Sequence, residues 1–219
     1  MVRDGFFYAL GLGLVAALLW YLKMPTLLVA LPIVLAAFFL WFFRDPERTI
    51  PQAPGQIVSP GDGLVTEAEW IETLSGSRLR LSIFLNVFDV HVNRAPVGGV
   101  VKVCEFRKGE FMNAMKPQSV VNNEQTLIVI DAGGYEVSFK QIAGLLARRI
   151  VCNLKVGDRV ERGQRVGLIK FGSRVDVLIP AEANLAVKVG ARVRGGSSVL
   201  AVMPDVSVGP NGPSAGVGA

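Results

Sequence analysis

The sequence predicts a mainly β (α+β) domain carried behind a helical membrane hairpin. Two observations carry that prediction: a pair of long uncharged apolar runs at the amino-terminal end, and short strand-length segments punctuated by glycine from residue 57 onward. A hydrophobic fraction of 51% and a mean hydropathy of +0.43 are high for a soluble chain, and the two runs account for the excess.

Residues 5–22 (GFFYALGLGLVAALLWYL) and 26–43 (TLLVALPIVLAAFFLWFF) carry no charge, and each approaches the ~20 residues that a spanning helix needs. Only Lys23-Met24-Pro25 separates them, so they form a hairpin anchor over 1–43 whose outer ends face the same side. Arg3 precedes the first run, and Arg44 and Arg48 follow the second. The positive-inside bias then assigns residues 44–219 to the cytoplasmic side of the membrane. Trp20, Tyr21 and Trp41 stand at the run ends, where aromatic belts form. A cleaved signal peptide is the competing reading, but the first run lacks a small-residue cleavage site and a second run follows at once.

A Pro-rich link, RDPERTIPQAPGQ, covers 44–56, and the β domain covers 57–203. Within it, IVSPGDGLVTEAEW, SRLRLSIFLNVFDVHVNR, GGVVKVCEF, TLIVIDAGGYEVSFKQIA and the stretch from Val151 to Met203 alternate or run apolar over strand lengths. EFMNAM and AGLLARR are the candidate short helices. Residues 204–219 hold too little apolar surface to fold and are expected to be disordered. Cys104 and Cys152 lack metal-site spacing and fit free thiols in a reducing compartment. The net charge of +5, beside a membrane anchor, points to anionic lipid surfaces, and no nucleic-acid motif is present.

The stretch LKVGDRVERGQRVGLIKFGSRVDVLIP has the turn-and-strand rhythm of barrel-sandwich modules of the biotinyl and lipoyl kind, so barrel-sandwich-like halves are expected in the domain. A carrier function does not follow. Such carriers present a modifiable lysine on a hairpin turn, whereas this chain offers Gly172-Ser173 there, and Lys170 lacks flanking methionines.

Few side chains are suited to catalysis. His91 is the single histidine, and a lone histidine is more often a satisfied structural residue than a catalyst. A Ser-His-Asp hydrolase is possible in principle, although no G-x-S-x-G elbow exists. One histidine and two isolated cysteines do not fill a zinc site, so no metal is expected. Gly172-Ser173 interrupts a strand pattern, and glycine inside a strand marks a bulge or a close backbone approach.

FFRDPERTIP, SPGDG, DVHVNRAPV, KGEFMNAM, NNE, QIAGLLARRIVC and KFGSRVDVLIP occur in one order across about residues 40 to 180. In this the chain resembles the short, membrane-anchored phosphatidylserine decarboxylases of bacteria, relatives of the archaetidylserine enzymes of archaea. The resemblance implies a proenzyme that cuts its own chain at Gly172-Ser173, giving a large chain of 1–172 and a small chain of 173–219 that stay together as a heterodimer. Homodimers are also found in such families. Ser173 becomes a pyruvoyl group, the cofactor that binds the substrate amine as a Schiff base and draws electrons from the α-carbon as CO2 leaves. The substrate would be phosphatidylserine in a membrane, and the product phosphatidylethanolamine.

The resemblance also implies that Asp62, in SPGDG, is the orienting acid of an Asp-His-Ser group. Taken alone, PGDG is an ordinary turn. His91 matches the first histidine of an H-x-x-H-x-P motif found in longer members, and Arg94 replaces the second. Either one imidazole serves both maturation and turnover, or Arg94 or an unassigned residue shares the work. Arg94 cannot act as a base but can hold a carboxylate or phosphate. Asn113, Lys116 and Arg148 are further candidates for the headgroup, as are Lys108, Asn123 and Arg149, with solvated surface positions as the alternative for each. Trp41, Phe42 and Phe43 would border the route of the acyl chains. A membrane-tethered adaptor without catalysis and a serine hydrolase remain the two other classes; the first predicts an intact chain that tolerates Ser173→Ala, the second labelling by hydroxyl-directed reagents and no carbonyl.

Overall fold

Two antiparallel helices, α1 (Arg3–Tyr21) and α2 (Thr26–Phe42), precede a chain of short strands. These are β1 (Gln56–Val58), β2 (Gly63–Thr73), β3 (Gly76–Leu85), β4 (Val92–Arg94), β5 (Gly99–Arg107), a single helical turn α3 (Ser119–Asn122), β6 (Gln125–Asp131) and β7 (Glu136–Ala143). They are followed by β8 (Ile150–Cys152), β9 (Arg159–Val160), β10 (Arg165–Ile169), β11 (Ser173–Pro180), β12 (Asn184–Leu185), β13 (Arg192–Val193) and β14 (Val199–Val202). The computed structural model describes residues 3–73, 76–116, 118–145, 149–170 and 172–204.

The expected helical hairpin is present within one or two residues of its sequence bounds. Gly5 lets the helices approach, because a Cβ there would lie 2.8 Å from the Cβ of Phe43. Around the rest of the pair, Phe6, Phe7, Leu14, Leu27, Leu31 and Val34 are exposed. An apolar surface facing outward all along two helices is what lipid covers and water does not. The 19-residue α1 is long and apolar enough to cross a membrane, whereas α2, at 17 residues, is slightly shorter.

Eight strands form one antiparallel sheet in the order β13-β2-β3-β11-β7-β6-β5-β9, flanked by the three-stranded sheets β4-β10-β8 and β1-β14-β12. The domain is therefore mainly β, as its glycine-punctuated strand pattern predicts. Its core is built from the inward positions of the central strands, among them Leu81, Ile83, Ile128, Phe139, Val175 and Val177. Period-2 alternation puts Ser173 on the same face of β11 as Val175 and Val177. The free thiols Cys104 and Cys152 sit half-buried at the edge of this core with their sulfurs 3.7 Å apart.

One element differs from expectation. EFMNAM forms no helix, and the helical turn lies downstream at Ser119–Asn122. Asparagine side chains take the backbone groups that a helix would need: Asn123 exchanges two hydrogen bonds with Met112, and Asn113 Oδ1 accepts from Met115 N. Of AGLLARR, residues 146–148 lie outside the described residues, as does the tail beyond residue 204.

Candidate active site

Ser173 opens β11, the strand paired on both sides, opposite Leu85 of β3 and Ala143 of β7. Its side chain is completely buried, and its Oγ has no hydrogen-bond partner among the described residues. Leaving a buried hydroxyl unpaired costs about 1–3 kcal/mol, so such a group calls for a functional reason. Gly172 precedes it at φ +65°, with open space where a Cβ would be. Glycine is needed here for the left-handed backbone and not for room.

The carbonyl between these residues is held just as closely. A Cβ on Gly144 would lie 2.1 Å from the Gly172 oxygen, so only glycine at 144 admits that carbonyl. Ala114 borders the same spot, its Cβ 3.5 Å from the position a Gly144 Cβ would take. The loop carrying Asn113 and Lys116 therefore runs beside the Gly172–Ser173 bond, with both side chains exposed.

His91 reaches this junction from the segment before β4. Its Nε2 accepts a hydrogen bond from Gly172 N at 3.1 Å, and its Nδ1 donates to the Asp89 carbonyl at 2.9 Å. Because Nε2 accepts, the proton of the neutral ring resides on Nδ1. Burial pushes His91 down to about 4, and the nearby Arg44 charge adds to the effect, while Asp89 opposes it. At neutral pH the imidazole is an uncharged base with its lone pair directed at the junction. Phe42, at the end of α2, covers the ring with centroids 4.5 Å apart.

Asp62 lies nearby but is engaged elsewhere. Its carboxylate accepts from Arg48 at 2.7 Å and from Gly195 N at 2.8 Å. Burial raises its pKa above the usual range, against the opposing pull of Gly195 and Arg48. Among the described residues no hydrogen bond joins Asp62 to His91, and the orienting contact on Nδ1 comes from a backbone carbonyl. Asp62 and Asp89 both attract Arg44, so the carboxylates act on this region through space.

Arg94 is also committed. Its guanidinium donates to Asp45 at 2.9 Å, to Pro46 O at 3.2 Å and to Gly163 O at 3.1 Å, and Arg165 bonds the same Asp45 at 2.5 Å. This clamp straps the link after α2 onto β4 and β10. Arg94 thereby positions the hairpin against the site and has few donors left for a ligand. Asn123 is buried and bonded to Met112 and Ala143 backbone. Arg148 lies outside the described residues, and Lys108 is exposed.

Sequence reasoning missed Gly144, the Asp89 carbonyl and the docking of Phe42 on His91. Gly144 left no signal, since an isolated glycine after a strand reads as a turn. No group of three or more metal-ligating side chains exists among the described residues.

Comparison with known proteins finds similarity along most of the chain. The family model described as phosphatidylserine decarboxylase matches residues 35–201. The chain is 48% identical over 202 residues to a phosphatidylserine decarboxylase proenzyme of Solibacter usitatus, covering 92% of this chain and 96% of that one. Proteins of the same name from Symbiobacterium thermophilum (48% over 174 residues, 78% and 81% covered) and Solidesulfovibrio magneticus (42% over 208 residues, 94% and 97% covered) are similar too.

Proposed function

We propose that this chain, which belongs to the phosphatidylserine decarboxylase family, is made as a proenzyme, cuts itself at Gly172–Ser173 and decarboxylates phosphatidylserine at a membrane surface. The observation that carries this reading is the buried, unpartnered Ser173 Oγ following a left-handed glycine whose N–H donates to a neutral imidazole.

Self-cleavage begins when Ser173 Oγ adds to the Gly172 carbonyl carbon and the C–N bond between the two residues breaks, exchanging an amide for an ester. Desolvation helps, because the hydroxyl gives up no hydrogen bond when it attacks. His91 Nε2 is the neutral base beside the junction; it takes the proton from Oγ and delivers it to the departing Ser173 nitrogen, so that the ring ends neutral and the new terminus is an amine. Loss of the Ser173 α-proton then expels the Gly172 carboxylate, and water replaces the nitrogen as ammonia, leaving a pyruvoyl group at 173. The orphan hydroxyl fits this fate, since no other contact must be broken before it attacks; its oxygen departs with the Gly172 carboxylate, and Cα and Cβ of Ser173 become the keto carbon and the methyl of the group. When present, the keto carbonyl supplies an electron sink for the substrate amine bound to it.

The chain does the rest. β11 remains paired with β3 and β7 after the cut, so residue 173 keeps its place and the pieces 1–172 and 173–219 stay joined. Phe42 and Leu168 exclude water from the His91 side, and the substrate carboxylate leaves most readily from such poorly solvated surroundings. His91 returns a proton to the α-carbon, and Asp62 sets the local field. The hairpin holds the domain on the cytoplasmic face of the inner membrane, where the lipid headgroup lies.

Intact mass spectrometry of the purified protein under denaturing conditions tests the reading. Two fragments meeting at 172/173, the smaller taking up a hydrazide probe through its keto terminus, are expected. A single unmodified chain in a preparation that decarboxylates phosphatidylserine would overturn it.

A further inference from the structure

Lys170 stands two residues before the proposed cut, and its ammonium is drawn away from solvent, with a side chain only 11% exposed. Its partners belong to the membrane hairpin. Nζ lies 3.0 Å from Asp4 Oδ2 in the first turn of α1, 5.6 Å from the centre of the Tyr8 ring and 5.8 Å from that of Phe43. A buried cation requires an anion, and here that anion sits on a more exposed residue, 38% accessible, at the end of the apolar helix. The result is an anion site with aromatic walls, placed where the polar end of a lipid meets the domain.

From this we propose that Lys170 binds the phosphodiester of the phospholipid substrate, with Asp4 occupying the site until the lipid displaces it. The inference rests on the decarboxylase reading and adds a residue to it. Geometry and chemistry select the phosphodiester over the carboxylate. The exposed flanks of α1 and α2 receive the acyl chains, so the phosphate enters at the level of Asp4 and Tyr8, while the amine continues inward to residue 173. In phosphatidylserine only a methylene and an ester oxygen separate the α-carbon from phosphorus, which suits a cation next to the junction. A cation on the carboxylate would stabilise the ground state that must lose CO2, whereas on the phosphate it binds without slowing that loss.

The test uses the full-length matured enzyme in non-ionic mixed micelles. Lys170→Gln raises KM for phosphatidylserine about tenfold, the loss of one charge-assisted contact, with kcat nearly unchanged. Inhibition by phosphatidylglycerol, which shares the phosphodiester but lacks the carboxylate, weakens by the same factor, and Lys170→Arg restores both. Asp4→Asn removes the competing anion and lowers KM. An unchanged KM in Lys170→Gln, undiminished phosphatidylglycerol inhibition, or equal losses in Lys170→Gln and Asp4→Asn would overturn the proposal; the last outcome would make the pair a structural strut. Should Lys170→Gln fail to mature, Asp4→Asn decides alone, because a KM that rises or stays the same refutes displacement. A wild-type chain that neither cleaves nor decarboxylates would instead sink the parent reading.

Discussion

The tripeptide Gly-Ser-Arg occurs twice in this chain, at 76–78 and at 172–174. In both copies the glycine has positive φ, +100° at Gly76 and +65° at Gly172, with open space where a Cβ would be, and each copy lies at the start of a strand. The two strands even pair with each other, antiparallel, so the copies lie toward opposite ends of one ladder. Their surroundings differ completely. Gly76 is exposed and Ser77 half-exposed, and Arg78 reaches the Glu136 carbonyl at the surface. Ser173 is sealed and unpartnered, Gly172 donates to His91, and Arg174 is buried between Asp176 and Glu67. The same three residues open an ordinary strand at the surface at one end and flank the proposed cleavage bond at the other, so the reactivity proposed for residue 173 rests on the surroundings and not on the tripeptide.

The widest separation between the two copies comes from removing the hydroxyl. Ser173→Ala leaves one uncleaved, inactive chain on a denaturing gel, while Ser77→Ala is cut and active like the wild type. A block in Ser77→Ala would break the comparison. Next in size, His91→Ala slows self-cleavage by about 10²–10⁴-fold, as expected for loss of a positioned general base. With the imidazole neutral down to about pH 4, the cleavage rate in the wild type stays level from neutral pH and falls only as the pH approaches that value.

The same shift appears in stability. The folded-state value of about 4 lies below the ordinary 6.5, so the unfolded chain takes up the proton first. Stability from this group is complete above pH 6.5 and drains away as the pH falls toward 4, by about 3 kcal/mol in all. Denaturant unfolding of Ser173→Ala, with and without His91→Gln, at neutral pH and at the lower edge of this window measures it. Equal pH dependence in the two would refute the assignment.

Smaller effects sharpen the comparison further. Gly144→Ala drives a methyl against the Gly172 oxygen and slows cleavage by at least about tenfold, for a barrier rise of roughly 1.4 kcal/mol; a normal rate would show that the carbonyl need not sit there. Last, Gly76→Ala and Gly172→Ala each lose about 1 kcal/mol of stability from the left-handed backbone. Only the second also retards cleavage, which a time course of fragment appearance distinguishes.

Much of this was legible in the residues taken one after another. The hairpin, the β domain and the irregularity at 172–173 rest on local signals: unbroken apolar runs, period-2 alternation, and glycine inside a strand pattern; the meaning of the ordered motifs and of the junction came from the family resemblance. EFMNAM was misread because two asparagine side chains, one of them eleven residues away from its partner, outbid the helix for backbone hydrogen bonds. Asp62 was expected on His91 because the two share a motif set, yet a closer arginine and a backbone N–H claim its carboxylate. Arg94 reads as a free cation in sequence and proves to be a strap for the link.

By itself, then, the sequence determined which segments are apolar along their whole length and which strands build the domain, since those depend on neighbours along the chain, whereas the bond at 172–173 was singled out by the family resemblance. Only the tertiary structure decided that Ser173 is sealed without a partner among the described residues, that His91 is neutral with its lone pair toward Gly172, and that Phe42 and Lys170 link the hairpin to the segment around Gly172–Ser173. Burial and electrostatic shifts are sums over residues distant in sequence, and they exist only once strands from both ends of the domain have closed around the site.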